Sequence, residues 1–122
     1  MSSAPNFPHS KFAKTTTIFN KGDLADKFYI IESGSIEIFD PDANQVIAKL
    51  EEGDAFGEQA ILLGGIRGAS AKATTDSVCM EISTIKLRDM LNIEESLLRP
   101  TIEALLLQLT MHNEIKSQSA AF

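Results

Sequence analysis

The stretch FYIIESGSIEIFDPDANQVIAKLEEGD, Phe28–Asp54, decides the fold class. Short apolar or alternating runs are cut there by turn-forming residues: FYIIE stops at Ser33–Gly34, SIEIF at DPDAN, and QVIAKL at EEGD. In SIEIF, Ile36 and Ile38 alternate with Ser35, Glu37 and Phe39, the period of two expected of a strand with one buried face. DPDAN supplies Pro, Asp and Asn where a hairpin turn uses them.

Working outward, TTTIF followed by NKGD continues the texture upstream, and strand-like runs extend from Lys11 to about Ile82. Several short antiparallel strands at this spacing predict a closed or nearly closed barrel or a two-sheet jelly roll, because closure removes exposed edges. The opening MSSAPNFPHS has no period and reads as a flexible N-terminal arm over residues 1–10. After Ile82 the texture becomes helical. Ser83 or Thr84 can cap a helix through IKLRDML, and Asn92 with Glu95 provides a second N-cap with a glutamate at N3. Further on, Leu98, Ile102, Leu105, Leu109, His112 and Ile115 recur every three or four residues as one stripe, which Pro100 begins or bends. The expected organisation is an arm over 1–10, one domain over 11–117 (roll to about 82, helices about 84–117) and a tail over 118–122.

At 122 residues and 43% hydrophobic composition, one core is available and not two. Seventeen acidic against eleven basic residues give a net charge of −6, which repels phosphate backbones, so no nucleic-acid partner is expected. NEIKSQSAAF follows the last stripe without a helix-turn-helix pattern, which agrees with that expectation. A lone Cys79 in the apolar run SVCMEI reads as a small buried hydrophobe, and neither a leader nor a spanning apolar run stands out. A cytoplasmic setting without membrane insertion is expected. The histidines, His9 and His112, fall in the arm and the last helix, so neither a metal cluster nor a nucleophile–base pair is formed and no enzyme activity or cofactor is expected.

The least ordinary segment is GDAFGEQAILLGGIRGASAKA, Gly53–Ala73, which sets Glu58 beside Gly57 and holds one arginine, Arg67, among glycine, alanine and isoleucine. Gly57 lets a ligand approach the backbone, and EQAIL can open a helical turn with free N–H groups. The two glycines of LLGGI permit a tight loop that returns the Arg67 guanidinium to the same nest. A carboxylate beside a phosphate is repelled unless it accepts hydrogen bonds from another part of the ligand, such as a ribose hydroxyl. The pattern therefore describes a phosphate joined to a sugar. A Glu58–Arg67 salt bridge that simply closes the loop is the alternative explanation of the same spacing.

FGEQAILLGGIRGASAKA resembles the phosphate-binding cassette of the cyclic-nucleotide-binding domain family, found in protein kinase A regulatory subunits, the bacterial catabolite activator and cyclic-nucleotide-gated channels. The cassette pattern falls without a gap on Phe56, Gly57, Glu58, Ala60, Ile66, Arg67, Gly68 and Ala69. IFNKGD is similar to the family's first glycine turn and FYIIESGSIEIF to its hairpin, so the resemblance covers about Phe12 to Met111. It implies a mainly β fold: an eight-stranded jelly-roll barrel with flanking C-terminal helices. It further implies that Arg67 pairs with a cyclic phosphate and Glu58 binds the ribose 2′-hydroxyl. Gly57, Gln59 and Ala60 would supply backbone contacts, while Gly68, Ala69 and Ser70 would line the phosphate and the purine edge.

Three departures from the family pattern are present. Ile66 stands where proline is usual, which should loosen the loop. Gly68 stands where alanine, serine or threonine is usual, and since a hydroxyl there is associated with cGMP, cAMP is the favoured ligand. The helical segment that usually precedes the roll is short or missing. The expected function is a cyclic-nucleotide sensor whose C-terminal helices reposition on binding, with Leu105, Leu106, Leu109 and Met111 as lid candidates and an effector protein or a homo-oligomer as output. The alternative is a ligand-free member of the same fold that serves as a protein-interaction scaffold.

Overall fold

The computed structural model describes residues 7–62 and 65–91, together with positions 97, 100 and 104. Over the described residues within 7–91, eight strands and two helices follow in order: β1 His9–Phe12, β2 Thr17–Phe19, β3 Lys27–Ser33, β4 Ser35–Asp40, β5 Gln45–Glu51, β6 Ala55–Phe56, α1 Glu58–Leu62, β7 Ser70–Ala73, β8 Ser77–Ser83 and α2 Thr84–Leu91. They form two four-stranded sheets, β1-β8-β3-β6 and β2-β7-β4-β5, with antiparallel pairing throughout.

The alternation seen in SIEIF is realised: Ile36 and Ile38 are buried, with Ser35, Glu37 and Phe39 on the more exposed face of β4. They meet Phe19 of β2, Ala48 and Leu50 of β5, and Ala71 and Ala73 of β7 in one cluster with Tyr29 and Ile31 of β3, Phe56 of β6 and Cys79 of β8. That cluster draws on both sheets, so it is the core between them. Each fully buried aliphatic or aromatic side chain there is worth about 1.5–3 kcal/mol of transfer free energy. The other face of β3 and β8 is also covered, by a smaller cluster of Phe7, Phe28 and Ile82 with Ile30, Ile61 and Met80. Burial on both faces explains why FYII is a continuous apolar run and not an alternating one.

The turns follow their residues. Gly34 joins β3 to β4 at φ +95°, and a Cβ there would lie 2.1 Å from the Ser77 hydroxyl and 2.7 Å from backbone atoms of Asp76 and Ser77, so only glycine fits. Asn20 and Asp23 close the NKGD turn, with the Asn20 amide donating to the Asp23 carboxylate at 2.9 Å and the Asp23 amide to the Asn20 carbonyl at 3.0 Å. Asn44 takes a positive φ of 50° in the β4–β5 hairpin, as asparagine tolerates.

Two expectations need correction. The roll is not a closed barrel: among the described residues β6 pairs only with β3 and β5 only with β4, leaving two separate sheets. Two of the four edge strands are short, β6 with two residues and β2 with three, and offer little backbone for a ladder between the sheets. Part of the supposed arm is also built into the domain. Phe7 is buried at 8% exposure, the Pro8 carbonyl accepts from the Glu81 amide at 2.9 Å, and His9 and Ser10 open β1 along β8. The serine and proline content of MSSAPNFPHS concealed one apolar anchor, Phe7, whose partners lie far along the chain.

Ser83 caps α2, its hydroxyl accepting from the Lys86 amide at 3.1 Å. Leu97, Pro100 and Ala104 are helical. The second cap at Asn92, the stripe from Leu98 to Ile115 and the lid candidates Leu105, Leu106, Leu109 and Met111 lie outside the described residues. No helix among the described residues is long and apolar enough to cross a membrane.

Candidate functional site

The site is assembled where β6 runs into α1. Upstream, the EEGD turn is tied to β3: the Ile31 amide donates to Asp54 O at 2.9 Å and the Gly53 amide to Ile31 O at 2.8 Å. Asp54, buried at 2% exposure, accepts from the Glu51 amide at 2.9 Å. After Phe56 the chain turns at Gly57 with φ +86°, and α1 starts at Glu58, placing a carboxylate in the first helical turn, where the helix dipole favours it.

The return segment is held against the NKGD turn region. Ala25 N donates to Gly65 O at 2.7 Å, Arg67 N to Asp23 O at 2.8 Å and Gly22 N to Arg67 O at 2.9 Å, flanking an isolated β-bridge between Leu24 and Ile66. Extended backbone sends successive side chains to opposite sides, so Ile66 points outward at 49% exposure while Arg67 points in at 3%. The loop expected to be loose at Ile66 is thus pinned on both sides of that residue.

Inside, Arg67 Nη1 donates to Gly57 O and Nη2 to Lys27 O, each at 2.7 Å. The guanidinium carbon lies 4.0 Å from the centroid of the Phe19 ring and 6.0 Å from that of Tyr29, within cation–π range. Tyr29 stacks on Phe56 at 5.0 Å and 13°. Nε is buried and has no hydrogen-bond acceptor among the described residues. Burial pushes the guanidinium pKa below its ordinary value, against the attraction of Tyr29, Asp26, Asp23 and Glu58. Arginine's ordinary value is so high that the group stays charged.

Glu58 is fully buried. The Arg67 guanidinium directs its hydrogen bonds to backbone carbonyls. That arrangement differs from the simple loop-closing salt bridge. Gly57, Glu58, Gln59 and Ala60 share one turn, with Gln59 half-buried and Ala60 at 4% exposure. A Cβ on Gly57 would stand 2.8 Å from Arg67 Nη1, so the glycine is what admits the arginine.

The remaining cassette residues divide their duties. Gly68 is exposed, with nothing within 4 Å of a Cβ built on it. Ala69 is buried in the core between the sheets. Ser70 accepts from the Lys21 amide at 2.8 Å, tying β7 to the NKGD turn. Sequence reasoning missed Phe19, Tyr29 and the Lys27 carbonyl, because strand periodicity marks an aromatic as core without saying which cation it will face. Among the described residues no group of three or more His, Cys, Asp or Glu side chains can hold a metal ion.

Comparison with known proteins places the chain in a family. The cAMP-dependent protein kinase regulatory subunit of Candida albicans is 40% identical over 80 residues, 66% of this chain and 17% of that protein, so the chain spans about a sixth of that relative's length. Among solved structures, the EAL enzyme Bd1971 in its cAMP-bound form aligns with TM-score 0.62 and 27% identity over 84% of this chain and 28% of that one. Its cGMP-bound form aligns with TM-score 0.62 and 26% identity over the same shares. The Thermus thermophilus catabolite activator protein shares the fold, with TM-score 0.68 and 24% identity over 90% of this chain and 50% of that one. The profile of the cyclic nucleotide-binding domain matches residues 9–94, and the chain belongs to that family.

Proposed function

We propose that this domain is a cyclic-nucleotide sensor that binds cAMP in preference to cGMP. The observation that carries this reading is Arg67: a charge at 3% exposure, hydrogen-bonded to two neutral carbonyls, with an Nε–H that no described residue accepts. A buried cation without a hydrogen-bonded counter-ion is unfavourable, and an anionic ligand relieves it. A cyclic phosphodiester carries one negative charge, matching one arginine.

In this reading Arg67 meets the cyclic phosphate and the buried Glu58 accepts from the ribose 2′-hydroxyl. Backbone groups of Gly57, Gln59 and Ala60 add contacts, and Gly68, Ala69 and Ser70 line the phosphate and the purine edge. Gly68 brings no hydroxyl to the ligand, which supports the preference for cAMP. The EAL enzyme Bd1971 is known with each nucleotide bound, so the preference is a matter of degree. Binding orders the cassette loop, and Leu105, Leu106, Leu109 and Met111 close over the purine, moving the C-terminal helices. The output passes to an effector protein or a second copy of the chain.

Calorimetric titration with cAMP and cGMP, with 5′-AMP as control, tests this. Saturable binding of a cyclic nucleotide is expected. Arg67→Ala should weaken it about 100-fold, the worth of two charge-assisted hydrogen bonds. Unchanged affinity in Arg67→Ala removes the proposed site, and no binding of either nucleotide leaves a protein-interaction scaffold.

A further inference from the structure

Resting on that reading, we infer that Phe19 is the positioning residue for Arg67, and that the electron density of its ring face sets the affinity for the anionic ligand. Phe19 closes β2, immediately before the NKGD turn, and its ring centroid lies 4.0 Å from the guanidinium carbon. It is held in place by its neighbours, with centroids 6.0 Å from Tyr29 and 6.1 Å from Phe56. The ring is itself buried at 6% exposure, so the contact is shielded from water, where such attractions are strongest.

The chemistry of the remaining partners makes this contact informative. The two carbonyl acceptors belong to different elements, Gly57 at the β6–α1 junction and Lys27 at the start of β3, and together they fix the in-plane orientation of the guanidinium. They leave its faces unspecified. The Phe19 ring supplies one face. Carbonyls and a ring offset part of the desolvation of the cation without cancelling its charge, whereas a hydrogen-bonded carboxylate would compete with an incoming phosphate. The aromatic seat therefore keeps Arg67 buried, charged and oriented, with the Nε edge still in want of an acceptor. A weaker seat lets the long side chain sample other rotamers, and the ligand must then restore the bound one.

The test separates the ring's electrons from its bulk. Phenylalanine analogues with one, two and three ring fluorines, placed at position 19 of the 122-residue chain, keep the shape of the side chain while progressively depleting the ring face. The logarithm of the cAMP dissociation constant should rise in step with fluorination, reaching roughly three- to thirtyfold weaker binding for the trifluoro ring. Phe19→Leu, which removes the ring, should weaken binding at least as much. In an Arg67→Ala background the spread of thermal midpoints across the fluorinated series should narrow to what the ring contacts with Tyr29 and Phe56 contribute. Equal cAMP affinity across the series overturns the role of Phe19 and leaves the sensor reading intact. Failure of the unmodified protein to bind cAMP or cGMP overturns the sensor reading and this role with it.

Discussion

Gly57→Ala tests the site at its tightest point. The residue sits at φ +86°, and a Cβ there would lie 2.8 Å from Arg67 Nη1 and 3.5 Å from ring atoms of Phe19 and Tyr29. The left-handed backbone conformation alone costs an alanine about 1–2 kcal/mol. The guanidinium, pinned at 2.7 Å to the Gly57 and Lys27 carbonyls, can yield only by giving up its bond to Gly57, a charge-assisted bond worth about 1.5–3 kcal/mol. Gly22→Ala isolates the backbone contribution, since Gly22 has φ +95° and nothing within 4 Å of a built Cβ. Gly57→Ala should therefore exceed Gly22→Ala by about 1.5–3 kcal/mol in chemical denaturation. For a domain of this size that is a thermal midpoint lower by roughly 6–12 °C. Affinity for cAMP should fall in Gly57→Ala and hold in Gly22→Ala. Equal destabilisation by the two substitutions would refute the reasoning, because it would mean that Arg67 does not occupy the space the glycine leaves.

Further tests concern separate parts of the molecule. Gly68→Thr should leave the thermal midpoint within about 2 °C, the shift of a surface change near 0.5 kcal/mol, since its Cβ meets nothing, while moving the cAMP-to-cGMP affinity ratio towards cGMP; an unchanged ratio removes position 68 from the purine edge. Cys79 is fully buried, and desolvation, with smaller contributions from Glu32 and Glu81, pushes its thiol pKa up to about 12. It should resist a thiol reagent at pH 8 in the folded protein and react at once in denaturant. Glu81 pairs with Lys27 at 3.0 Å and accepts from the Ser10 hydroxyl. Burial raises its pKa, but these partners outweigh burial and leave it below the ordinary 4.5. A lowered folded-state pKa contributes stability that is present above 4.5 and lost as pH falls through the folded value. Glu81→Gln should accordingly flatten the acid limb of the stability curve below pH 4.5, and an unaltered limb would show that the pairing contributes nothing there.

Local chemistry in the sequence settled the strands and the turns, and it singled out the two charged residues of the candidate site. Alternation at Ser35–Phe39, glycine at Gly34 and Gly57 and the Ser83 cap each depend on residues within one strand or turn, where side-chain type acts directly on backbone geometry. The spacing of Glu58 and Arg67 within one cassette was visible for the same reason. What surrounds that pair was decided only in three dimensions. Arg67 finds its partners in Phe19 and Lys27, 48 and 40 positions earlier in the chain, and Ser70 its donor in Lys21, 49 positions earlier. Division into two sheets was likewise a matter of which strands pair, as was the docking of Phe7 on a cluster with Phe28 and Ile82 a matter of tertiary packing. Periodicity reports which face of a segment is buried; it carries no record of which distant element does the burying, because that choice belongs to the packing of the whole chain.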